Sequence, residues 1–387
     1  MENIRGGAEV DERLYWIGLN MVKGIGPKSF QSMLDHFGTA QAAWEASPGS
    51  LYDSGMQKKR IESLLNFRAS IDLNKIWASI QEKNIKILIW NDENYPRRLR
   101  DIPQSPPVLY MRGEITPQDS WAVSVVGTRR ITTYGRQVAE ELGSGLARSG
   151  VTVVSGLARG VDSAAHSAAL KAGGRTIAVM GCGVDQIYPP ENRGLAAEII
   201  ENGAIISDYS IGTPPEANNF PPRNRIISGL SIATVVVEAN RRSGALITAD
   251  FALDQGRDVY AVPGNIFVPH SAGPNRLIQQ GAFPLTSVDD LLESLDLSMV
   301  TEHQTARQVL PSNAVEAVLF ENLGFEPKHI DEIRQDVDMP IEDVSAALSL
   351  MELKGMVRKV GGMKYVSVKE TKAQYQAEQV QEGSTSG

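Results

Sequence analysis

Six short apolar runs, rich in β-branched residues, constrain this chain more than any other feature: "AVSVV" (122–126), "VTVVS" (151–155), "TIAVM" (176–180), "AIIS" (204–207), "TVVVE" (234–238) and "VYAVP" (259–263). Each has the length and composition of a buried strand, and amphipathic or small-residue helical stretches separate most of them. Parallel neighbours in a sheet need a crossover, and the crossover is usually a helix. The order therefore predicts an α/β fold, a Rossmann-like doubly wound parallel sheet.

Flanking segments divide the rest. Residues 1–82 show helical apolar spacing and no strand-like run, which predicts a small helical domain. The sheet domain is expected over 83–292, opening with a bridging strand at "IKILIW" and the proline-punctuated "YPRRLRDIPQSPPVLYMRGE". A linker is expected over 293–312. Residues 313–368 follow with helix, turn, helix and a Gly-Gly hairpin, the pattern of a winged helix. The polar stretch 369–387 lacks apolar periodicity and is expected to be disordered.

Composition excludes several function classes. No segment offers the ~18 apolar residues of a membrane span, and the start "MENIRGGAEVDERL" has no signal-peptide core, so a cytoplasmic protein is expected. A single cysteine, Cys182, and five scattered histidines argue against a disulfide framework, a metal site or any bound cofactor. The formal charge of −8 is uneven. Residues 121–288 hold thirteen arginines, one lysine and thirteen acidic residues, a balance of +1 that leaves −9 elsewhere. Arginine suits planar, bidentate phosphate recognition and stacking on bases.

In open parallel sheets ligands sit beyond the carboxyl ends of the strands, where helix N-termini present free N–H groups. Here "VVGTRR", "VSGLARG", "VMGCGVD" and "AVPG" each place glycine after a strand, which lets backbone turn tightly and approach an anion. Arg129 and Arg130 follow the first turn, Arg159 the second, and Asn192 and Arg193 lie past the third. No G-x-G-x-x-G follows the first strand and the second ends in Ser155-Gly156 without an acidic residue for a ribose, so a dinucleotide is not expected. No Walker lysine loop exists either.

The stretch "NNFPPRNRIISGLS" (218–231) adds Phe220, Arg223, Asn224 and Arg225 at the start of an expected short helix. An aromatic platform with guanidinium and amide donors is what a single strand requires, since bases stack while charges follow the backbone. The competing reading makes Phe220 a core plug. Asp162 and His166, at i and i+4, would face each other on one helix, but no G-x-S-x-G elbow supplies a nucleophile, and the pair reads better as a brace for the "SGLARG" loop. Cys182 fits a tight glycine turn as a small side chain.

These motifs, with "SGLARGVDSAAHSAAL", "VVVEANRRSGALITADFAL" and "AVPGN" ahead of "SAGPNRLIQQGA", resemble the DNA-processing protein A family, also called DprA or Smf, across residues 85–290. The resemblance implies a non-enzymatic, cytoplasmic protein that binds single-stranded DNA, protects incoming DNA during natural transformation and helps load the RecA recombinase. It also implies a homodimer through the Rossmann-like domain. Carried over by position, Arg129 matches the family's phosphate-contacting arginine and Phe220 its base-stacking aromatic. Gly127, Arg130, Ser155, Gly156, Arg159, Asn192, Arg223, Asn224 and Arg225 lie in the same motifs. Some members carry a lysine three residues before the aromatic, where this chain has Ala217.

Two other functions stay open on the residues. A phosphoribohydrolase of related fold would need a Pro-Gly-Gly-rich loop and a catalytic glutamate where this chain has "EANRRSGALITAD", with Glu238 ahead of the loop. A nucleotide-sensing module would use the same pocket without turnover. In the first domain "VKGIGPKSFQSMLDHFG" suits either a helix-hairpin-helix or a packing module of the sterile-alpha-motif kind, the latter preferred. The winged helix carries six basic and ten acidic residues over 311–368, which repels a duplex and favours a protein partner or regulation.

Overall fold

Nine strands form one sheet: β1 (Lys86–Ile89), β2 (Val108–Gly113), β3 (Ala122–Val126), β4 (Thr152–Ser155), β5 (Thr176–Val179), β6 (Gly203–Ser207), β7 (Ala233–Val236), β8 (Asp258–Ala261) and β9 (Phe283–Pro284). This is a computed structural model that describes residues 5–295, 297, 314–324, 327–337, 339–353, 356–360 and 362–367. Their order is β1-β2-β6-β5-β4-β3-β7-β8-β9. From β6 to β9 every pairing is parallel, while β1, β2 and β6 pair antiparallel. All six expected runs are strands of the doubly wound sheet. Sequence reading missed β2, masked by the prolines before it, and β9, whose two residues include a proline.

The first unit spans Met1–Leu297. Six helices precede the sheet: α1 (Arg5–Met21), α2 (Pro27–Phe37), α3 (Ala40–Glu45), α4 (Pro48–Asp53), α5 (Lys58–Ser70) and α6 (Leu73–Glu82). Among the sheet's helices are α7 (Arg97–Arg100), α8 (Thr133–Arg148), α9 (Val161–Lys171), α10 (Arg193–Asn202), α11 (Phe220–Leu230), α12 (Gly244–Asp254), α13 (Ala272–Gln279) and α14 (Val288–Ser294). Strand alternation sends Ile87, Tyr110, Ala178 and Ile205 to one face, where they share a core with Trp16, Phe30 and Leu64 of the N-terminal helices. Leu88, Leu109, Ile177 and Ile206 face the other side, against Ile226 and Ile227 of α11 and Ala249 of α12. No break in packing therefore marks the expected 82/83 boundary.

The second unit, Ser298–Gly387, has its own core of Leu319, Phe320, Ile333, Leu348 and Met351. Helices α15 (Ala314–Asn322), α16 (Ile330–Val337) and α17 (Ile341–Leu353) pack with strands β10 (Lys328–His329), β11 (Val357–Lys359) and β12 (Lys364–Ser367), ordered β10-β12-β11. This is the winged helix. Most of the expected linker and all of the expected disordered tail lie outside the described residues.

Candidate nucleic-acid interface

Strand β3 pairs with β4 on one side and β7 on the other, so the chain winds away from it in both directions. The carboxyl end of such a strand is where the crossovers diverge and leave a crevice. A cavity of about 600 Å³ occupies it, bordered by Gly127 and Arg129 after β3, Asp162 of α9, Phe220 and Arg223 of α11, and the first turn of α12. That size falls in the small-ligand range of roughly 300–1,000 Å³.

The strand-end glycines act differently from expectation. Gly127, Gly156 and Gly181 are absent from the positive-φ glycines; the positive-φ residues of these loops are Leu157 at 56° and Gly160 at 83°. They are needed for space. A Cβ on Gly156 would lie 2.6 Å from an Arg223 guanidinium nitrogen, and one on Gly181 would lie 2.8 Å from Cδ1 of Phe220. Glycine here admits the aromatic and the guanidinium that shape the cavity.

Helix α11 begins with Phe220 and carries Pro221 and Pro222 in its first turn, where missing N–H groups cost nothing. Phe220 is half-buried and its ring packs on Tyr188, with centroids 5.7 Å apart and planes at 37°. The Arg129 guanidinium lies 5.4 Å from the Phe220 centroid and that of Arg223 5.8 Å, both within cation–π reach. Arg129 is exposed and makes no described ion pair; Arg130 is exposed beside it.

The other expected site residues divide by burial. Arg223 is 4% exposed and donates through Nη1 to the carbonyls of Gly156, at 3.0 Å, and Val179. Burial lowers its basicity to about 10, against the opposing pull of Asp162. Asn224, also buried, donates through Nδ2 to the Gly244 carbonyl at 3.1 Å and ties α11 to α12. Arg225 points away from the cavity. It pairs with Asp208 at 2.8 Å and donates to the carbonyls of Gln104 and Pro222, so its guanidinium is engaged within the fold. Buried Ser155 donates to the Val125 carbonyl at 2.7 Å and locks β4 to β3. Arg159 pairs with Glu191 at the surface, and Asn192 donates to the Leu157 carbonyl at 2.8 Å, so both stitch neighbouring loops together.

The expected pairing of Asp162 with His166 is corrected. Asp162 accepts from the backbone N–H groups of Gly156 (3.1 Å) and Ala158 (3.3 Å), while His166 Nδ1 meets the Thr176 hydroxyl at 2.6 Å. Of the two, it is Asp162 that braces the loop. Burial raises its pKa, opposed by Arg223 and those N–H groups, and burial with Arg223 nearby pushes His166 down to about 3. Cys182 is buried and its thiol is pushed up to about 11 by desolvation. Glu238 accepts from both the hydroxyl and the backbone N–H of Thr132, holding the "GTRRITT" loop. Among the described residues no group of three His, Cys, Asp or Glu is placed to hold a metal.

Residues 86–296 match the family model described as DNA recombination-mediator protein A, residues 10–69 a DprA-like N-terminal HHH domain, and residues 303–363 the DprA winged helix domain. The chain belongs to the DprA/Smf family. Membership places it among DNA-processing proteins, and the matched model at the N-terminus is the HHH one rather than the preferred packing module. Protein Smf of Synechocystis sp. is 37% identical over 391 residues, covering 92% of this chain and 98% of that protein. The DNA processing protein A structure of Streptococcus pneumoniae aligns with a TM-score of 0.65 at 33% identity, over 73% of this chain and 97% of that one. A second, described as giving insights into the single-stranded DNA binding mode of DNA processing protein A from Helicobacter pylori, aligns at TM-score 0.50 and 31% identity, over 55% and 95%.

Two parts of this cavity escaped sequence reading. Tyr188 supports the Phe220 ring, and its only sequence signal is an aromatic ahead of two prolines. Ser243 caps α12 by accepting from the Ala245 N–H, which sets the positive end of an 11-residue helix at the cavity wall. The capping serine in "RRSGALITAD" was the available signal.

Proposed function

We propose that the protein binds single-stranded DNA in the cytoplasm, protects incoming strands and promotes RecA loading in natural transformation and recombination, without catalysing a reaction. The observation carrying this reading is the exposed Arg129 beside the half-buried Phe220 ring at the sheet's switch point. The exposed part of the ring offers a base a stacking surface, and Arg129, with no carboxylate partner among the described residues, can leave the ring for a phosphate. The positive end of α12 adds a fixed attraction for the same anion. Arg130 extends the charge along the edge. The Helicobacter pylori relative named for single-stranded DNA binding supports the substrate class.

Glu238 and Asp162 are engaged in hydrogen bonds that hold loops, His166 meets the Thr176 hydroxyl of β5 through Nδ1, and the Cys182 thiol stays protonated at neutral pH, which gives a catalytic reading little support. A homodimer through the sheet domain is supported by edge strand β9, whose Phe283 is 52% exposed and stacks on Tyr260 at 5.3 Å. The test is a titration of a labelled 20-mer single strand against the matching duplex, for the parent and Phe220→Ala. The single strand is expected to bind more tightly and to be the substrate on which the variant loses affinity. Equal losses on both substrates with lowered thermal stability would make Phe220 a core plug. Release of free base from nucleoside monophosphates would move the protein to the enzyme class.

A further inference from the structure

A second cavity, of about 560 Å³, opens at the opposite end of the sheet. It lies where β3, β5 and β8 begin: Ser120 precedes β3, Ile177 is the second residue of β5, and Arg257 precedes β8. Its apolar wall includes Tyr95, Ile115 and Leu230, the last residue of α11. Three arginines line it, Arg97, Arg98 and Arg257.

These three differ from the structural arginines of the molecule. Arg159, Arg175 and Arg225 each pair with a carboxylate, whereas none of the three does so among the described residues. Arg98 donates through Nε to the Ser120 carbonyl at 3.3 Å, and Arg257 reaches the Arg98 carbonyl only at 3.4 Å. The Nε of Arg257 is buried with no partner among the described residues. A buried guanidinium donor left unmatched carries a desolvation penalty, so its presence beside two more unpaired cations points to an anion that is meant to be there. Burial and the adjacent Arg257 also hold Arg98 below the ordinary arginine range, against the opposing pull of Asp101. The carboxylate of Asp119, though at the same wall, is taken by Arg175 at 2.9 Å and by the Thr116 N–H at 2.7 Å, and it does not neutralise the trio. Glu93 and Asp101 also border the cavity, where they suit hydroxyl or amino donors of a ligand.

We propose that this amino-end cavity binds a small phosphorylated molecule with a planar or apolar body, of the nucleoside diphosphate class. Phosphate groups carry the charge and the several acceptor oxygens that three guanidiniums can share, which a single carboxylate does not. Tyr95, Ile115 and Leu230 form the wall for the body. The same phosphate chemistry could come from a nucleic-acid strand, and the experiment separates the two sources.

The test is calorimetric titration of the full chain with ADP and with inorganic phosphate, alongside Arg98→Gln/Arg257→Gln, the surface variant Arg97→Gln, and Arg129→Ala at the other end. ADP is expected to bind saturably to the parent and to Arg129→Ala, with phosphate alone weaker. Affinity should fall at least tenfold in the double variant and several-fold in Arg97→Gln, whose exposed side chain makes it a safe control for folding. Single-strand affinity should not move in either. No saturable ADP binding, loss of ADP binding in Arg129→Ala instead, or a matching loss of single-strand affinity in well-folded Arg97→Gln would each overturn the proposal. So would a glutamate-rich peptide that binds the parent in place of ADP.

Discussion

Arg129 and Arg225 come from motifs that look alike in sequence, "GTRR" and "FPPRNR", yet the structure gives them opposite work. Arg129 and Arg130 are exposed, at the carboxyl end of the sheet, with no described ion pair. Arg225 is 7% exposed, paired with Asp208 and bonded to two carbonyls, while Arg223 next to it spends its Nη1 on two strand-end carbonyls and still borders the cavity. The contrast teaches that an arginine motif at a sheet edge is part scaffold and part contact. Hydrogen-bond satisfaction tells them apart: a guanidinium whose donors are matched inside the fold has little left for a ligand.

The largest effect should come from the scaffold side. Arg225→Ala strands Asp208 without its partner, and loss of one member of a buried pair costs about 3–5 kcal/mol. Denaturant melts should show that loss, while single-strand affinity per folded molecule stays near the parent. An affinity loss at unchanged stability would place Arg225 among the contacts.

The buried side also titrates. His166 stays neutral in the folded protein because its pKa falls to about 3, below the ordinary 6.5. The unfolded chain therefore takes up that proton first. This contribution to stability is fully present above about pH 6.5 and is lost as pH falls toward 3, at up to about 1.4 kcal/mol per pH unit. His166→Gln should flatten that part of a stability profile, and an unchanged acid slope would disprove the assignment.

Next in size is the stacking contact. Phe220→Ala should weaken single-strand binding by about 1–3 kcal/mol with little change in salt dependence. Smaller again is removal of the second unit. A chain ending at Leu297 keeps the first unit's core and sheds the acidic winged helix, so single-strand affinity should stay within about 1.4 kcal/mol, or tenfold, of the full chain. A greater loss would give the winged helix a direct part in binding. The smallest effect is on a slope: Arg129→Ala should make log K against log salt shallower by roughly 0.7, the value for one phosphate contact on a single strand. A slope within error of the parent would reduce Arg129 to a surface charge.

Much of this molecule was legible in its sequence because the signals were local. Six apolar runs of strand length gave the parallel sheet, and helical spacing with a Gly-Gly hairpin gave the winged helix. The misses have local causes too. Prolines hid β2, and β9 is only two residues long, held by pairing with β8 rather than by its own pattern. At the cavity, "GTRR" and "FPPRN" marked the right elements but not the direction of each side chain. Asp162 and His166 stood at facing positions on a helix, and partners outside that helix, the Gly156 and Ala158 N–H groups of the preceding loop and the Thr176 hydroxyl of β5, drew them apart.

By itself the sequence determined the fold class and which loops meet at the carboxyl edge, since β-strand length, helical period and strand-end turns are written within a few neighbouring residues. Only the tertiary structure decided what each glycine and arginine does there. Gly156 and Gly181 prove to be spaces for Arg223 and Phe220, and Arg225 proves to be a partner for Asp208, because steric room and buried-charge pairing depend on residues 17 to 67 positions away that meet only when the sheet closes.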